Sequence, residues 1–338
     1  MRNTVVVTGA SAGIGLAIAE RFARARWQVA ILARGEARLQ EAARQLEAYG
    51  VPVLAIPCDV ADAKAVDAAA DRVQAEFGGI DAWVNNAMST VVAPAHEITA
   101  EEYQRVTATT YFSQIYGTLA ALRVMKAQER RRGRGAIIQI SSGLAFRSAP
   151  LQAAYCGAKA AVGGFTDSLR AELIAEGSPI RLSVVYLPGV NTPQPTWARN
   201  RTGHAQVIPD PLFDPRLCAE AAFSAVGSGE REIWVGRSTL MMALAQAVAP
   251  GFADRKAAGM KDAQQGAPMP PREGNLDTPA PGSARIDGPS RDRVIPTRHE
   301  FVTRSQVDLL KAGALAGLLL AGAVARGALK RVGRHGRM

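Results

Sequence analysis

The sequence predicts an α/β fold built on a doubly wound parallel sheet, and three observations carry that prediction. Short runs rich in β-branched residues alternate with longer amphipathic patterns throughout residues 1–190. The runs are nearly continuous in apolar residues rather than alternating, as strands covered on both faces are. Their strand, helix, strand order at this spacing gives parallel strands joined by helical crossovers.

Thr4–Thr8 is the first strand candidate, and Gly15–Arg26 follows with apolar residues at helical spacing and charges on the opposite face. Gln28–Ala33 is the second strand and Arg38–Tyr49 the second helix. Val51–Pro57, Ala82–Asn85, Ala136–Ser141 and Arg181–Leu187 complete the strand set. No internal repeat interrupts the pattern.

Composition narrows the function classes. Of 338 residues, 48% are hydrophobic and 21% charged, too apolar for a disordered chain and enough for one large domain plus extras. Three cysteines (Cys58, Cys156, Cys218) lack metal-ligand spacing, and four histidines lie outside any His/Cys/acid cluster. The expectation is neither a disulfide scaffold nor a metal site. A formal charge of +10 would suit a nucleic-acid binder, but residues 255–338 carry 15 Lys/Arg against 7 Asp/Glu. The main body is therefore nearly neutral, and no nucleic-acid partner is expected. The first strand begins too early for a charged n-region, apolar stretch and cleavage site before it. A cytoplasmic catalytic domain is expected, in a reducing compartment that suits the sparse cysteines.

Three groups of residues carry chemistry. Thr8-Gly9-Ala10-Ser11-Ala12-Gly13-Ile14-Gly15 follows the first strand directly and opens a helix, its glycines spaced G-x-x-x-G-x-G. Such a turn brings backbone close to a pyrophosphate and aims helix N-terminal amides at its charge. At the end of the second strand, Ala33-Arg34 offers no carboxylate before Glu36. An acid there would bind a ribose 2′-hydroxyl and an arginine a 2′-phosphate, so Arg34 reads as an NADP preference or a solvated loop charge. Tyr155 and Lys159 share one helix face, and Ser142 lies 13 residues before Tyr155 at a strand end. An ammonium beside a phenol lowers its pKa from about 10 toward a range useful for proton transfer. A nearby serine hydroxyl can donate to a carbonyl oxygen gaining negative charge.

Taken together, Thr8–Gly15, Asn85-Asn86-Ala87, Ser142, Tyr155-x-x-x-Lys159 and Pro188-Gly189-Val190-Asn191-Thr192 resemble the short-chain dehydrogenase/reductase family over about residues 1–250. The resemblance implies a single-domain Rossmann-type sheet and hydride transfer between nicotinamide C4 and a carbonyl or alcohol carbon. It implies Tyr155 as general acid/base, Ser142 as the group orienting the substrate oxygen, and Lys159 as the residue that lowers the tyrosine pKa and holds the nicotinamide ribose. Gly9, Ser11, Gly13, Ile14 and Gly15 would meet the pyrophosphate, and Asp59 the adenine. Asn86 would lie beside the cofactor, with Pro188, Gly189 and Thr192 around the carboxamide. A homo-oligomer is implied as well.

Two positions depart from the family pattern. Thr110 stands where an asparagine usually helps hold a relay water, and a hydroxyl lacks the amide's donor and acceptor pair. Met88 stands where glycine is usual and adds bulk near the nicotinamide. Substrate choice should fall to Pro193–Gly203, by resemblance the mobile lid. Its Trp197, Arg199, Asn200 and Arg201 suit an apolar or an anionic substrate, or merely cap the loop.

Three segments result: a dinucleotide-binding domain over 1–254, a Pro-rich linker over 255–304 and an apolar helix with a basic end over 305–338. The linker expectation rests on Pro268, Pro270, Pro271, Pro279, Pro281, Pro289 and Pro296, which leave little apolar surface to offset ordering entropy. Leu309–Ala325 holds one charge, Lys311, in a run shorter than the about 20 residues a span needs. It reads as a membrane-contacting segment over 309–331 or as a helix packed on its own domain or a partner. A full span would carry Lys330, Arg331, Arg334 and Arg337 away from the cytoplasm, against the positive-inside tendency. The expected function is an NADP-dependent oxidoreductase acting on a small carbonyl or alcohol. Its rival is an NADP-binding scaffold or redox sensor that works through the C-terminal segment.

Overall fold

The computed structural model describes residues 2–133, 135–297 and 300–312. Its central sheet has eight strands: β1 (Thr4–Thr8), β2 (Gln28–Ala33), β3 (Val53–Pro57), β4 (Ala82–Asn85), β5 (Ala136–Ser142), β6 (Arg181–Leu187), β7 (Glu232–Val235) and β8 (Phe301–Thr303). They lie in the order β8-β7-β6-β5-β4-β1-β2-β3. All pairings are parallel except β8, which runs antiparallel along β7. The order reverses at β1, so the loops after β1 and β4 leave toward opposite faces and open a crevice between them.

Both faces of the sheet are covered, which explains why the strand runs do not alternate. In β1, Val5 and Val7 pack with α1 (Gly13–Arg24), α2 (Glu36–Glu47) and α7 (Pro215–Ser228), through Leu16, Leu39 and Leu217. Val6, pointing the other way, packs with α3 (Ala63–Phe77) and α5 (Ser113–Arg132), through Val66 and Ala121. Helix ends follow local chemistry. The Asp62 side chain caps α3 by accepting from the Lys64 amide. Thr99 and Glu102 form a reciprocal capping box on α4 (Ala100–Thr107). Arg26, in the left-handed region at φ 67°, brings the chain out of α1 two residues before the predicted end.

The linker expectation for 255–304 is corrected. After α8 (Arg237–Val248) and α9 (Pro250–Ala258), Gln265–Pro268 pairs antiparallel with His204–Gln206. Arg272 exchanges backbone hydrogen bonds with Asn200 at 2.8 and 2.9 Å. Leu276 is buried beside Val91, Ala93 and Val106, and Ala284 and Ile286 enter the main core. Low apolar content misled because much of the attachment is polar: arginines of the domain donate to carbonyls of this segment. Among the described residues, no helix is long and apolar enough to cross a membrane. The expected membrane-contacting segment lies outside the described residues from position 313 onward.

Candidate active site

A cavity of about 380 Å³ runs along the C-terminal ends of the strands. Sheet order fixes its layout. Arg34 and Asp59, after β2 and β3, lie on one side of the glycine turn, and Ser142, at the end of β5, lies on the other. Gly9, Ser11, Gly13, Ile14, Gly15, Asn86, Tyr155, Lys159, Pro188, Gly189 and Thr192 also line it. Of the residues expected to act in catalysis or to hold the cofactor, Thr110 alone is not on its wall.

The glycine turn is compact because side chains are excluded from it. A Cβ on Gly15 would lie 2.3 Å from the Gly9 carbonyl oxygen and 2.5 Å from Asn86 Nδ2. Asn86 braces the turn by donating from Nδ2 to the Thr8 carbonyl at 2.9 Å. Thr8 Oγ1 in return accepts the amides of Asn86 and Ala87 at 2.9 and 3.0 Å. The Gly13 amide donates to the Arg285 carbonyl at 2.9 Å, so a C-terminal carbonyl already engages one amide of the turn. At the far end, Asp59 accepts from Arg105 Nη2 at 2.7 Å and from the Ala61 amide at 3.0 Å. Burial opposes its charge, but these donors outweigh it and hold the carboxyl below its usual range.

Ser142 ends β5 and turns the chain, its Oγ accepting the Leu144 amide at 3.1 Å. That acceptor role leaves the hydroxyl hydrogen available to a partner in the cavity. Tyr155 and Lys159 come from α6 (Ala153–Ala175), one turn apart; Lys159 is buried and Tyr155 is half-buried at the cavity wall. The Ser142 hydroxyl lies on the same wall as the Tyr155 phenol and favours its ionised form. Lys159 donates from Nζ to the Ile140 carbonyl at 2.6 Å, and its ammonium sits 5.8 Å from the Tyr155 ring centroid.

The expected lowering of the Tyr155 pKa by Lys159 is corrected for the protein alone. Burial pushes the phenol up, against the opposing effect of the Ser142 hydroxyl. Lys159 is itself pushed down to about 7 by burial. Desolvation penalises both charged forms, and the lysine is directed to a backbone carbonyl rather than to the phenol.

The role given to Thr110 is also corrected. Residues Ala108–Phe112 form a π-helical turn, and the Thr110 hydroxyl faces Ser89. It donates to the Ser89 carbonyl and accepts the Ser89 amide, each at 3.0 Å, with no exposure to solvent. It is a clamp on the chain after β4 and is not directed at Lys159. Thr109 instead lines the cavity, and its buried Oγ1 has no hydrogen-bond partner among the described residues.

The segment Pro193–Gly203 resolves the open reading of its arginines. Arg199 pairs with Glu102 at 2.9 Å and with Asp277 at 2.6 Å, and Arg201 pairs with Glu102. Neither lines the cavity. Trp197 does, with the Arg38 guanidinium 4.5 Å from its ring centroid. Met88 is on the wall, as expected. Sequence reasoning missed Ile208, Met242, Met260, Gln152, Gln206 and Gln264. Gln152 donates to Gln264 at 2.6 Å, while Gln206 Oε1 is buried without a partner among the described residues. These residues belong to loops, to the short strand His204–Gln206 and to α8 and its neighbours, where no spacing marks them in advance.

Comparison with known proteins agrees with this geometry. The family profile described as short chain dehydrogenase matches residues 3–201. The chain is 30% identical over 259 residues to the uncharacterized oxidoreductase YxnA of Bacillus subtilis, covering 75% of this chain and 70% of that one. It is 35% identical over 192 residues to 3beta-hydroxysteroid dehydrogenase 1 of Eggerthella lenta, covering 56% and 72%. Among solved structures, L-sorbose reductase of Gluconobacter frateurii, complexed with NADPH and L-sorbose, superposes with a TM-score of 0.52 at 35% identity. That match covers 57% of this chain and 71% of the other. A family profile spanning more than half the chain, on a sheet and cleft of this kind, settles the affiliation: the protein belongs to the short-chain dehydrogenase/reductase family of oxidoreductases.

Proposed function

We propose that the protein is an NADP-dependent oxidoreductase that interconverts a carbonyl compound and its secondary alcohol. The observation that carries the reading is the presence of Ser142, Tyr155 and Lys159 on the same cavity as the glycine turn and Arg34. The residues fit a nicotinamide dinucleotide. The turn excludes side chains where a pyrophosphate needs close backbone, and Thr109 Oγ1 and Gln206 Oε1 are buried polar atoms lacking partners among the described residues. Arg34 supports the phosphorylated form. Burial and the neighbouring Arg105 disfavour its charge, and a phosphate dianion would relieve both.

When bound, the dinucleotide supplies or accepts the hydride. The chain's own residues handle the oxygen. Tyr155, held neutral by burial, donates its phenolic proton to the substrate oxygen in the reducing direction. Ser142 donates a hydrogen bond to the same oxygen as charge builds on it. Lys159, with its pKa pushed down to about 7, changes protonation near neutral pH and can return a proton to the phenol after each turnover. Leu144, Ile208, Met242 and Met260 make that end of the cavity largely apolar, which supports a substrate with a hydrophobic body.

The test is NADPH consumption over a panel of ketones, aldehydes and quinones, with Tyr155→Phe as the blank. Turnover that the variant loses supports the enzyme. NADPH binding without turnover, or turnover indifferent to Tyr155→Phe, overturns it in favour of a dinucleotide-binding scaffold.

A further inference from the structure

Residues 275–285 lie against the end of the cavity that holds Arg34 and Asp59, and the hydride chemistry above makes no use of them. The segment is pinned at both ends by burial. Leu276 is 1% exposed in its apolar cluster, and Ala284 and Ile286 are buried in the main core. Between the pins, residues 277–283 are largely exposed, yet two arginines hold their backbone from beneath. Arg34 donates from Nη1 to the carbonyls of Leu276 and Asp277, each at 3.0 Å, and from Nη2 to that of Asn275 at 2.5 Å. Arg38 donates to the carbonyls of Gly282 at 3.1 Å, Pro281 at 2.7 Å and Ala280. Asn275, Pro279 and Ala280 line the same cavity as Ser11, Arg34 and Asp59.

We propose that residues 275–285 form a strap over the adenosine half of the dinucleotide site, and that the dinucleotide enters and leaves only when the strap lifts. The proposal rests on the reading of this cavity as a nicotinamide-dinucleotide site. Two features suit a segment that lifts. Its exposed middle contributes no large core side chain, so raising it uncovers little apolar surface. Its attachments between the pins are polar, guanidinium-to-carbonyl hydrogen bonds and the Arg199–Asp277 ion pair, which water can replace on the lifted strap, while the Arg285 carbonyl on the Gly13 amide and the Ala284 amide on Glu41 belong to the pinned end. The buried pins at Leu276 and Ala284–Ile286 return it to the same seat.

A reversible lock tests this. A Cβ on Gly35 would lie 3.0 Å from Pro279 Cβ, about half an ångström short of disulfide spacing. Gly35 has φ −81° and takes a side chain without backbone strain. The double variant Gly35→Cys with Pro279→Cys is compared oxidised and reduced, following NADPH and NADH binding and release by nicotinamide fluorescence. Oxidation before loading should block uptake, and oxidation after loading should slow release by about tenfold or more, with any unlinked protein seen as a separate fast phase. Reduction should restore both. Equal uptake and release in the two states overturns the strap alone. A reduced, folded protein that binds neither dinucleotide overturns the functional reading and the strap with it. The unaltered protein gives a second measurement, hydrogen exchange of residues 277–285 with and without NADPH. Protection by NADPH, with release no faster than strap opening, supports the proposal; indifference of these amides to NADPH overturns it, whether or not the double variant folds.

Discussion

Lys159 Nζ and the carbonyl oxygen of Ile140 are 2.6 Å apart, a bond that ties α6 to β5 just before Ser142. The amine makes this bond in a fully buried position, where its charge is costly and its pKa falls from 10.5 to about 7. The sign of the resulting pH effect follows from linkage. Between about 7 and 10.5 the unfolded chain binds more protons at this site than the folded one, so Lys159 makes stability rise with pH across that window. Below about 7 both states are protonated and the penalty stays constant. Urea denaturation without cofactor should show the wild type gaining on Lys159→Met as pH rises from 7 to 10. A flat difference would contradict this.

Thr110 should behave as a clamp rather than a proton carrier. Thr110→Val strands the buried Ser89 amide and carbonyl, at an expected cost of about 1–3 kcal/mol. Thr110→Ser restores both hydrogen bonds and most of that stability. Denaturant midpoints decide it; a Thr110→Val protein as stable as wild type would remove the clamp.

The glycine turn has no room for a methyl group at position 15. Gly15→Ala would force its Cβ against the Gly9 carbonyl and the Asn86 amide. Dinucleotide affinity should fall at least about tenfold as the turn moves out of register with a pyrophosphate. Titration of NADPH fluorescence reads this directly, and unchanged affinity would show that the turn is not the phosphate cradle.

Arg34 should separate the two dinucleotides. Arg34→Ala removes a charged donor that a 2′-phosphate can use and a 2′-hydroxyl cannot replace. The NADPH dissociation constant should rise about tenfold to a hundredfold more than that for NADH. Equal losses would mean that Arg34 serves only the carbonyls of 275–277.

Much of the fold and of the site was legible because it is written locally. The β1 run, the glycine turn and the four-residue offset of Tyr155 and Lys159 each fix their own geometry within a few residues. What escaped depends on partners far along the chain. Glu232–Val235 is too short to carry a period, and Phe301–Thr303 becomes a strand only because β7 presents a free edge. The Pro-rich stretch reads as disordered by composition, since its ordering comes from Arg34 and Arg38, more than 200 positions earlier. Thr110 was misassigned for a different reason. A π-helical turn of five residues inserts one extra position, which brings Thr109 to the cavity wall and sends Thr110 to Ser89.

The late position of residues 275–285 in the chain gives synthesis a direction. At about 5–20 residues per second, the glycine turn, Arg34, Ser142, Tyr155 and Lys159 all leave the ribosome seconds before Asn275 does. On the strap proposal, the nascent chain lacks that cover during this interval, and a dinucleotide would meet no strap there. The first dinucleotide is then, on the same proposal, taken up during translation rather than admitted afterwards.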